Sequence, residues 1–135
     1  KQTFKLSKRG TRIYYYDFTN IGFTGDLSGI SLIDGELAMK FYFKGNHFTK
    51  MMRGSFRWVS VFNFENNNCN SDEIDSFLAV VDAYFVGGVV PLTNAVYTLS
   101  GAGMGIPSAA GLISRTSILG KYVAEGKTCA IYVNP

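Results

Sequence analysis

The spacing of apolar residues changes once along this chain, and that change constrains its fold more than any other feature. Apolar side chains first alternate with other residues, most clearly over Glu36–Lys44 and Ser55–Phe64. Alternation places successive side chains on opposite faces of a β-strand. Beyond residue 70 the apolar residues recur every three or four positions instead, as on one face of an α-helix. The sequence therefore predicts a region of strands followed by a helix.

The helical spacing covers about residues 72–85, immediately after a candidate capping residue. Asn70 and Glu73 have the spacing of a capping box, in which each side chain bonds the backbone N–H of the other residue. The apolar stripe of this helix predicts that Phe77 lies in the core. A later segment, Ser108–Leu119, fits a helix or a strand equally well.

Strands joined by turns and followed by a helix favour an antiparallel sheet. Asp34-Gly35 lies between two apolar runs and is a strong signal for a hairpin turn, and Lys8-Arg9-Gly10 predicts another. The expected fold is α+β, an antiparallel β-sheet with one amphipathic helix (about 72–85) packed on it. The alternative is an all-β sandwich with a surface helix. No internal repeat is evident, and residues 1–135 are expected to form a single domain.

The chain has two cysteines, Cys69 and Cys129. An even pair in a small, aromatic-rich chain that begins at Lys1 is typical of a secreted protein with a disulfide. That bond would close a loop of about 60 residues and stabilise the fold by about 4 kcal/mol. The sequence therefore predicts a Cys69–Cys129 disulfide and an extracellular or cell- or virion-surface location. Two free, buried thiols are the alternative.

A strand, Cys69, a helix and Cys129 near the C-terminus follow one another in this order. The order resembles the disulfide-bounded region of some type IV pilins and covers at most residues 56–135. The long N-terminal apolar helix of that family is missing here. The resemblance implies a surface subunit, and pilins are one member of that broader class.

Residue patterns that carry catalysis are missing from the sequence. The loop Gly101-x-Gly103-x-Gly105 matches neither the dinucleotide-binding nor the P-loop pattern, so it predicts a turn. His47 is the only histidine and lies in a polar turn, where a surface role is expected. Two distant cysteines and one histidine do not make a zinc site. No enzymatic activity, cofactor or metal is therefore predicted.

Basic and aromatic residues alternate on what the pattern predicts to be the outer faces of two strands. The candidate binding surface consists of Arg12, Tyr14, Tyr16, Lys40, Tyr42 and Lys44. Such a surface can stack on bases or on sugar rings while its cations pair with anions. Residues 1–58 carry ten Lys or Arg and four Asp or Glu, a net +6, whereas residues 59–135 carry three and six, a net −3. Opposite charges on the two halves would suit head-to-tail assembly.

These observations together predict a non-enzymatic extracellular binding or assembly protein: an adhesin, a pilus-type subunit or a virion structural or attachment component. A nucleic-acid-binding β domain and a secreted toxin or effector domain are the alternatives. The expected partner is protein, through self-assembly, or glycan, with nucleic acid less favoured. The sequence has no run of about 18 apolar residues, so no transmembrane segment is predicted.

Overall fold

The computed structural model describes residues 15–34 and 38–135, together with the backbone of Gln2–Thr3. The strands in these ranges are β1 (Gln2–Thr3), β2 (Tyr15–Asp17), β3 (Phe23–Asp26), β4 (Ser31–Leu32), β5 (Met39–Tyr42), β6 (His47–Lys50), β7 (Arg53–Gly54), β8 (Val59–Asn63), β9 (Ala95–Thr98) and β10 (Cys129–Tyr132). Helix α1 (Ser71–Tyr84) connects β8 to β9, and helix α2 (Ala109–Ala124) connects β9 to β10.

All the strand pairs in the described ranges are parallel. The main sheet has the order β10-β9-β8-β5-β2, and two smaller sheets have the orders β1-β3-β6 and β4-β7. From β2 to β7 the chain visits the three sheets in turn, twice, so each strand stacks on its equivalent in the previous turn of the chain. This is the arrangement of a solenoid, in which each coil contacts mainly its neighbours. The main sheet and its two helices make it an α/β arrangement.

The predicted antiparallel sheet is therefore wrong, and so is the sandwich alternative. Alternation shows which face of a strand a side chain occupies, but it carries no information on the direction of the neighbouring strand. The strands on either side of Asp34-Gly35 do not pair with each other: β4 pairs with β7, and β5 pairs with β2 and β8. That segment thus connects two different sheets instead of closing a hairpin. The hairpin predicted around Lys8-Arg9-Gly10 lies outside the described residues.

Helix α1 confirms the helical prediction, and Phe77 is fully buried. The Asn70 side chain accepts a hydrogen bond from the Glu73 N–H, as a capping residue does. The Glu73 carboxylate, however, does not complete the capping box. It is 5% exposed and instead accepts hydrogen bonds from the Met51 N–H and from the Arg53 guanidinium. It therefore joins α1 to the preceding coil.

Helix α2 settles the ambiguous segment after residue 108 as a helix. Its N-terminus is held by α1, because the Asp75 carboxylate accepts a hydrogen bond from the Ser108 N–H. Lys121 contacts both the Asp82 carboxylate, at 2.8 Å, and the Asp82 carbonyl. Gly111 faces α1 so closely that a Cβ there would lie 2.1 Å from Asp75 Oδ1. The two helices therefore pack side by side along the solenoid.

A repeated pattern follows the main-sheet strands, although none was evident from the sequence. Two buried aromatic residues are followed by a buried asparagine three positions later: Phe41, Phe43 and Asn46 in one coil, and Phe62, Phe64 and Asn67 in the next. The same frame continues with Tyr97, Leu99 and Ala102, where alanine replaces asparagine. The repeat was missed because 21 residues separate Phe41 from Phe62, whereas 35 separate Phe62 from Tyr97.

Each buried asparagine connects its own coil to the preceding one. The Asn67 side chain accepts from the Phe48 N–H and donates to the Phe43 and Phe64 carbonyls. Asn46 makes the equivalent three bonds one coil earlier, with the N–H of Phe23 and the carbonyls of Phe18 and Phe43. These side chains satisfy buried backbone groups at the turn, which would otherwise destabilise a tight stack of coils.

Aromatic rings fill the space between the main sheet and the rest of each coil. Phe62 stacks on Phe64 with ring centroids 4.9 Å apart, and on Phe77 of α1 at 5.1 Å. Tyr97 continues the row, and its hydroxyl bonds that of Tyr122 on α2 at 2.8 Å. The aromatic-rich composition thus supplies one continuous core along the solenoid.

The predicted disulfide is wrong, because Cys69 and Cys129 are separate free thiols. Cys69 follows the C-terminal end of β8, whereas Cys129 is the first residue of β10. Strand β9 lies between these two strands, and the cysteines sit at opposite ends of the sheet. Burial raises the pKa of each thiol to about 12. The extracellular location and the resemblance to pilins both depended on this bond, so they lose their basis.

Candidate binding face of the parallel sheet

One face of the main sheet carries the helices, and the other carries no second layer in the part of the chain that the structure describes. Alternate side chains point away from the core on all five strands. We call this surface the open face; its residues are Tyr15, Asp17, Lys40, Tyr42, Val61, Asn63, Val96, Thr98, Ala130 and Tyr132. Parallel sheets are generally covered on both faces, so an uncovered one is a candidate contact surface.

Strand register arranges the open face in two rows that cross the sheet. One row is Tyr15, Lys40, Val61, Val96 and Ala130, and the other is Asp17, Tyr42, Asn63, Thr98 and Tyr132. The first row is mainly aliphatic after its first two members. The second row is polar, and its tyrosines are Tyr42 of β5 and Tyr132 of β10. The face therefore combines apolar area with hydrogen-bonding groups at fixed spacing.

Tyrosines give the open face much of its exposed area. Tyr15 is 60% exposed and Tyr132 is 56% exposed, at opposite edges of the sheet. The rings of Tyr15 and Tyr42 lie 5.3 Å apart and are tilted at 44°. Val96, between the two edges, is 41% exposed. Large, stiff side chains of this kind lose little conformational entropy on binding.

Two polar residues of the open face are held by their own turns. Asp17 accepts hydrogen bonds from the Thr19 hydroxyl and N–H, and these bonds lower the pKa of its carboxyl group. The Asn63 side chain accepts from the Glu65 N–H. With Asp17 negative and Lys40 positive, the face carries little net charge.

The candidate residues taken from the sequence divide into three groups. Lys40 and Tyr42 lie on the open face, and Lys44 lies just beyond β5, 3.5 Å from Glu65. Tyr16 points the other way and packs against the core, with its ring 6.0 Å from that of Phe41. Arg12 and Tyr14 lie outside the described residues.

Val61, Val96 and Tyr132 were missed by the sequence reasoning. The strand that contains Val61 was predicted, but nothing in an isolated strand shows which strands lie beside it. Only the parallel register brings these residues into line with Lys40 and Tyr42. The frame shared by β5, β8 and β9 would have aligned Val61 and Val96 with Lys40 from the sequence, but β10 does not carry it.

Other candidate features have structural roles. Gly101 and Gly103 adopt positive φ of 102° and 83°, which confirms that their loop is a turn. Glu73 and Arg53, 2.9 Å apart, connect α1 to β7. His47 is the first residue of β6 and is half-buried, so its predicted position in a polar turn is wrong. Within residues 15–34 and 38–135, no three His, Cys, Asp or Glu side chains come together as a metal site would require.

The chain matches no protein-family model, no curated protein and no solved structure in comparisons with each. Over the described ranges, its helices are too short or too polar to cross a bilayer. The geometry of the open face is therefore the basis for inferring a function.

Proposed function

We propose that this protein is a non-enzymatic binding module whose open face contacts another protein. The observation that carries the proposal is the uncovered parallel sheet, with exposed tyrosines and valines in register across five strands. Solenoids use such extended surfaces for binding. Tyrosine is enriched and charged residues are depleted in the cores of protein interfaces, which describes this surface.

The shape and composition favour a protein partner over other ligands. Side chains of a sheet present a broad surface, whereas small-molecule sites are enclosed pockets. The part of the first row formed by Val61, Val96 and Ala130 offers apolar area with no hydrogen-bonding side chain for a sugar hydroxyl. A glycan would therefore contact mainly the second row. Glycan binding is therefore measured beside peptide binding in the test below.

A nucleic-acid-binding role has less support. It required a stripe of cations interleaved with aromatic rings. Tyr16 packs inward, Lys44 lies beside Glu65, and Asp17 adds a negative charge next to Tyr42. Lys40 is the cation that remains on the described part of that stripe, too little for the phosphate contacts that such binding needs.

Selection from a random-peptide display library tests the proposal without a known partner. The labelled chain selects peptides, and the same chain is applied to a glycan array. Binding of the selected peptides is then measured for Val96→Arg, which places a charge in the centre of the open face. Val80→Arg on α1 is the matched control, because Val80 is 39% exposed and Val96 is 41% exposed.

We expect Val96→Arg to weaken peptide binding at least tenfold, about 1.4 kcal/mol, and Val80→Arg to leave it unchanged. Peptides that bind both variants equally would place the preferred contact surface elsewhere and refute the proposal. Glycan binding that is lost with Val96→Arg, in the absence of selected peptides, would replace the protein partner with a glycan.

A further inference from the structure

Helix α2 exposes an apolar stripe on the side that faces away from α1. On a helix of 3.6 residues per turn, Leu112 lies opposite Lys121, the residue that contacts α1. The stripe, which we call the distal stripe, consists of Leu112, Thr116, Leu119 and Val123. Leu112 is 44% exposed and Val123 is 72% exposed, and Leu119 is half-buried. A helix that is apolar on both its core side and an outer side is normally covered on both.

The charged side chains of α2 are turned away from the distal stripe. Lys121 contacts Asp82 of α1. Arg115 donates from Nε to the Ile131 carbonyl of β10. These are the two basic residues of the helix, and it contains no acidic residue. The stripe can therefore be buried without removing a charge from water.

The same side of α1 has a different character. Val81 of α1 and Phe85, which caps α1, align with the core residues Ile118 and Tyr122 of α2 at an offset of 37 positions. With this offset Asp75 and Asp82, which hold α2 against α1, correspond to Leu112 and Leu119. The polar contacts that attach one helix to the next are thus replaced on α2 by apolar residues at the equivalent positions.

The spacing within the distal stripe indicates what covers it. Intervals of four, three and four residues are those of a coiled-coil seam. The order 4-3-4 also reads the same in both directions. In an antiparallel pair of identical helices, Leu112 then faces Val123 and Thr116 faces Leu119, and both contacts occur twice. A two-fold symmetric interface requires this kind of self-complementary surface.

The edge of the main sheet beside α2 is protected against strand addition. The Thr128 and Tyr132 carbonyls bond β9, so the intervening Ile131 carbonyl faces the open edge of β10. Arg115 occupies that carbonyl at 2.8 Å. A charged side chain at an edge strand prevents pairing with another chain. The helix, and not the strand, is the surface available to a partner at this end.

We infer that the distal stripe of α2 binds the distal stripe of a second copy of this chain, as an antiparallel helix pair about a two-fold axis. The inference stands independently of the binding role of the open face, which lies on the strands of the main sheet and shares no residue with the stripe. A dimer formed in this way would carry two open faces and bind a repetitive partner with increased avidity.

Charge substitutions test both the surface and its orientation. Leu112→Asp and Val123→Lys each place a charge opposite an apolar residue of the partner, and we expect each to weaken association at least tenfold. In the double variant, the aspartate introduced at position 112 would face the lysine introduced at position 123 of the other copy, at both ends of the helix pair. We therefore expect association to recover and to become salt-sensitive. Val80→Asp on α1 is the control and is expected to change nothing.

Sedimentation equilibrium on the wild type and the four variants gives the result. The wild-type mass should rise from 14.8 kDa towards twice that value with concentration, and circular dichroism should show that every variant folds. A wild-type mass of 14.8 kDa at every concentration up to about 0.5 mM would overturn the inference. So would a dimer insensitive to Leu112→Asp, or failure of the double variant to recover.

Discussion

Replacing Asn67 with alanine tests whether buried asparagines hold the coils together. The side chain makes three hydrogen bonds to buried backbone, with the Phe48 N–H at 3.0 Å and with the Phe43 and Phe64 carbonyls at 2.9 and 3.0 Å. Losing a bond to a buried group costs about 1–3 kcal/mol. The Phe43 carbonyl keeps Asn46 as a second donor, so the total falls towards the lower end of the summed range. We expect the free energy of unfolding to decrease by about 3–5 kcal/mol.

Urea denaturation followed by circular dichroism measures this loss. Asn68→Ala is the matched control, because Asn68 is the next residue and is exposed. Its substitution should change the free energy of unfolding by less than about 0.5 kcal/mol. A loss below about 1 kcal/mol for Asn67→Ala would refute the role assigned to the asparagines.

Asn67→Asp separates the hydrogen-bond argument from a simple loss of packing. Aspartate retains the acceptor for the Phe48 N–H but places a carboxylate oxygen beside the Phe43 and Phe64 carbonyl oxygens. The negative form is therefore disfavoured in the folded state, which raises the folded-state pKa of the new carboxyl group above its unfolded value. The difference in free energy of unfolding between this variant and the wild type should consequently be smaller near pH 4 than at pH 7, because the stability from the raised pKa is lost as pH rises from the unfolded-state to the folded-state pKa. The same difference at both pH values would contradict this account.

Four further outcomes are expected. Glu73→Gln should lower the free energy of unfolding by about 3–5 kcal/mol in urea denaturation, because it breaks a buried ion pair, and a cost under about 1 kcal/mol would contradict that. Gly111→Ala should destabilise the fold by about 1–3 kcal/mol, because the new Cβ displaces the α1 carboxylate beside it. Gly120→Ala, whose new Cβ meets nothing within 4 Å, should stabilise the fold by up to about 1 kcal/mol in dilute solution, and the reverse order would be inconsistent with the helix packing. Burial raises the pKa of Tyr97 and of Tyr122, so the unfolded chain loses these protons at lower pH than the folded chain. The free energy of unfolding should therefore fall as pH rises above about 10, and it should fall less steeply for Tyr97→Phe. The protein should have the same intact mass with and without reductant, whereas a difference of about 2 Da would indicate a disulfide. Both cysteines should react with a thiol reagent far faster in denaturant than in the native chain.

Local structure could be predicted from the sequence where one element decides it. The stripe around Phe77 and the capping side chain of Asn70 were sufficient for α1. The strands at Met39–Tyr42 and Val59–Asn63 follow from the alternation over Glu36–Lys44 and Ser55–Phe64. Each of these depends only on neighbouring residues in the chain.

Strand direction could not be predicted in the same way, because it depends on what lies between the strands. Helices α1 and α2 lengthen the later coils, so the frame of buried aromatic residues and asparagine has no fixed period. Part of the charge difference between the two halves is used in contacts within the chain. Glu65 and Glu73, in the acidic half, contact Lys44 and Arg53 of the basic half, within adjacent coils. Head-to-tail assembly through the remaining charges stays a prediction.

The candidate site was predictable in part for a related reason. Alternation along β5 placed Lys40 and Tyr42 on an outer face, and both lie there. The prediction for Tyr16 was wrong, because β2 has only three residues, too few to show from alternation which face each side chain occupies. Tyr132 joins the surface only through the register of β10 on β9.

The parallel register of the main sheet is the central claim, and nuclear Overhauser effects in the isotope-labelled chain test it most directly. Neighbouring strands lie about 4.8 Å apart, so backbone protons of paired residues are close enough to give detectable signals. The structure pairs Phe41 with Phe62, Phe62 with Tyr97 and Tyr97 with Ile131. Signals that connect these pairs, and that advance together along every strand, are the expected result. Signals that advance in opposite directions on neighbouring strands would contradict the solenoid.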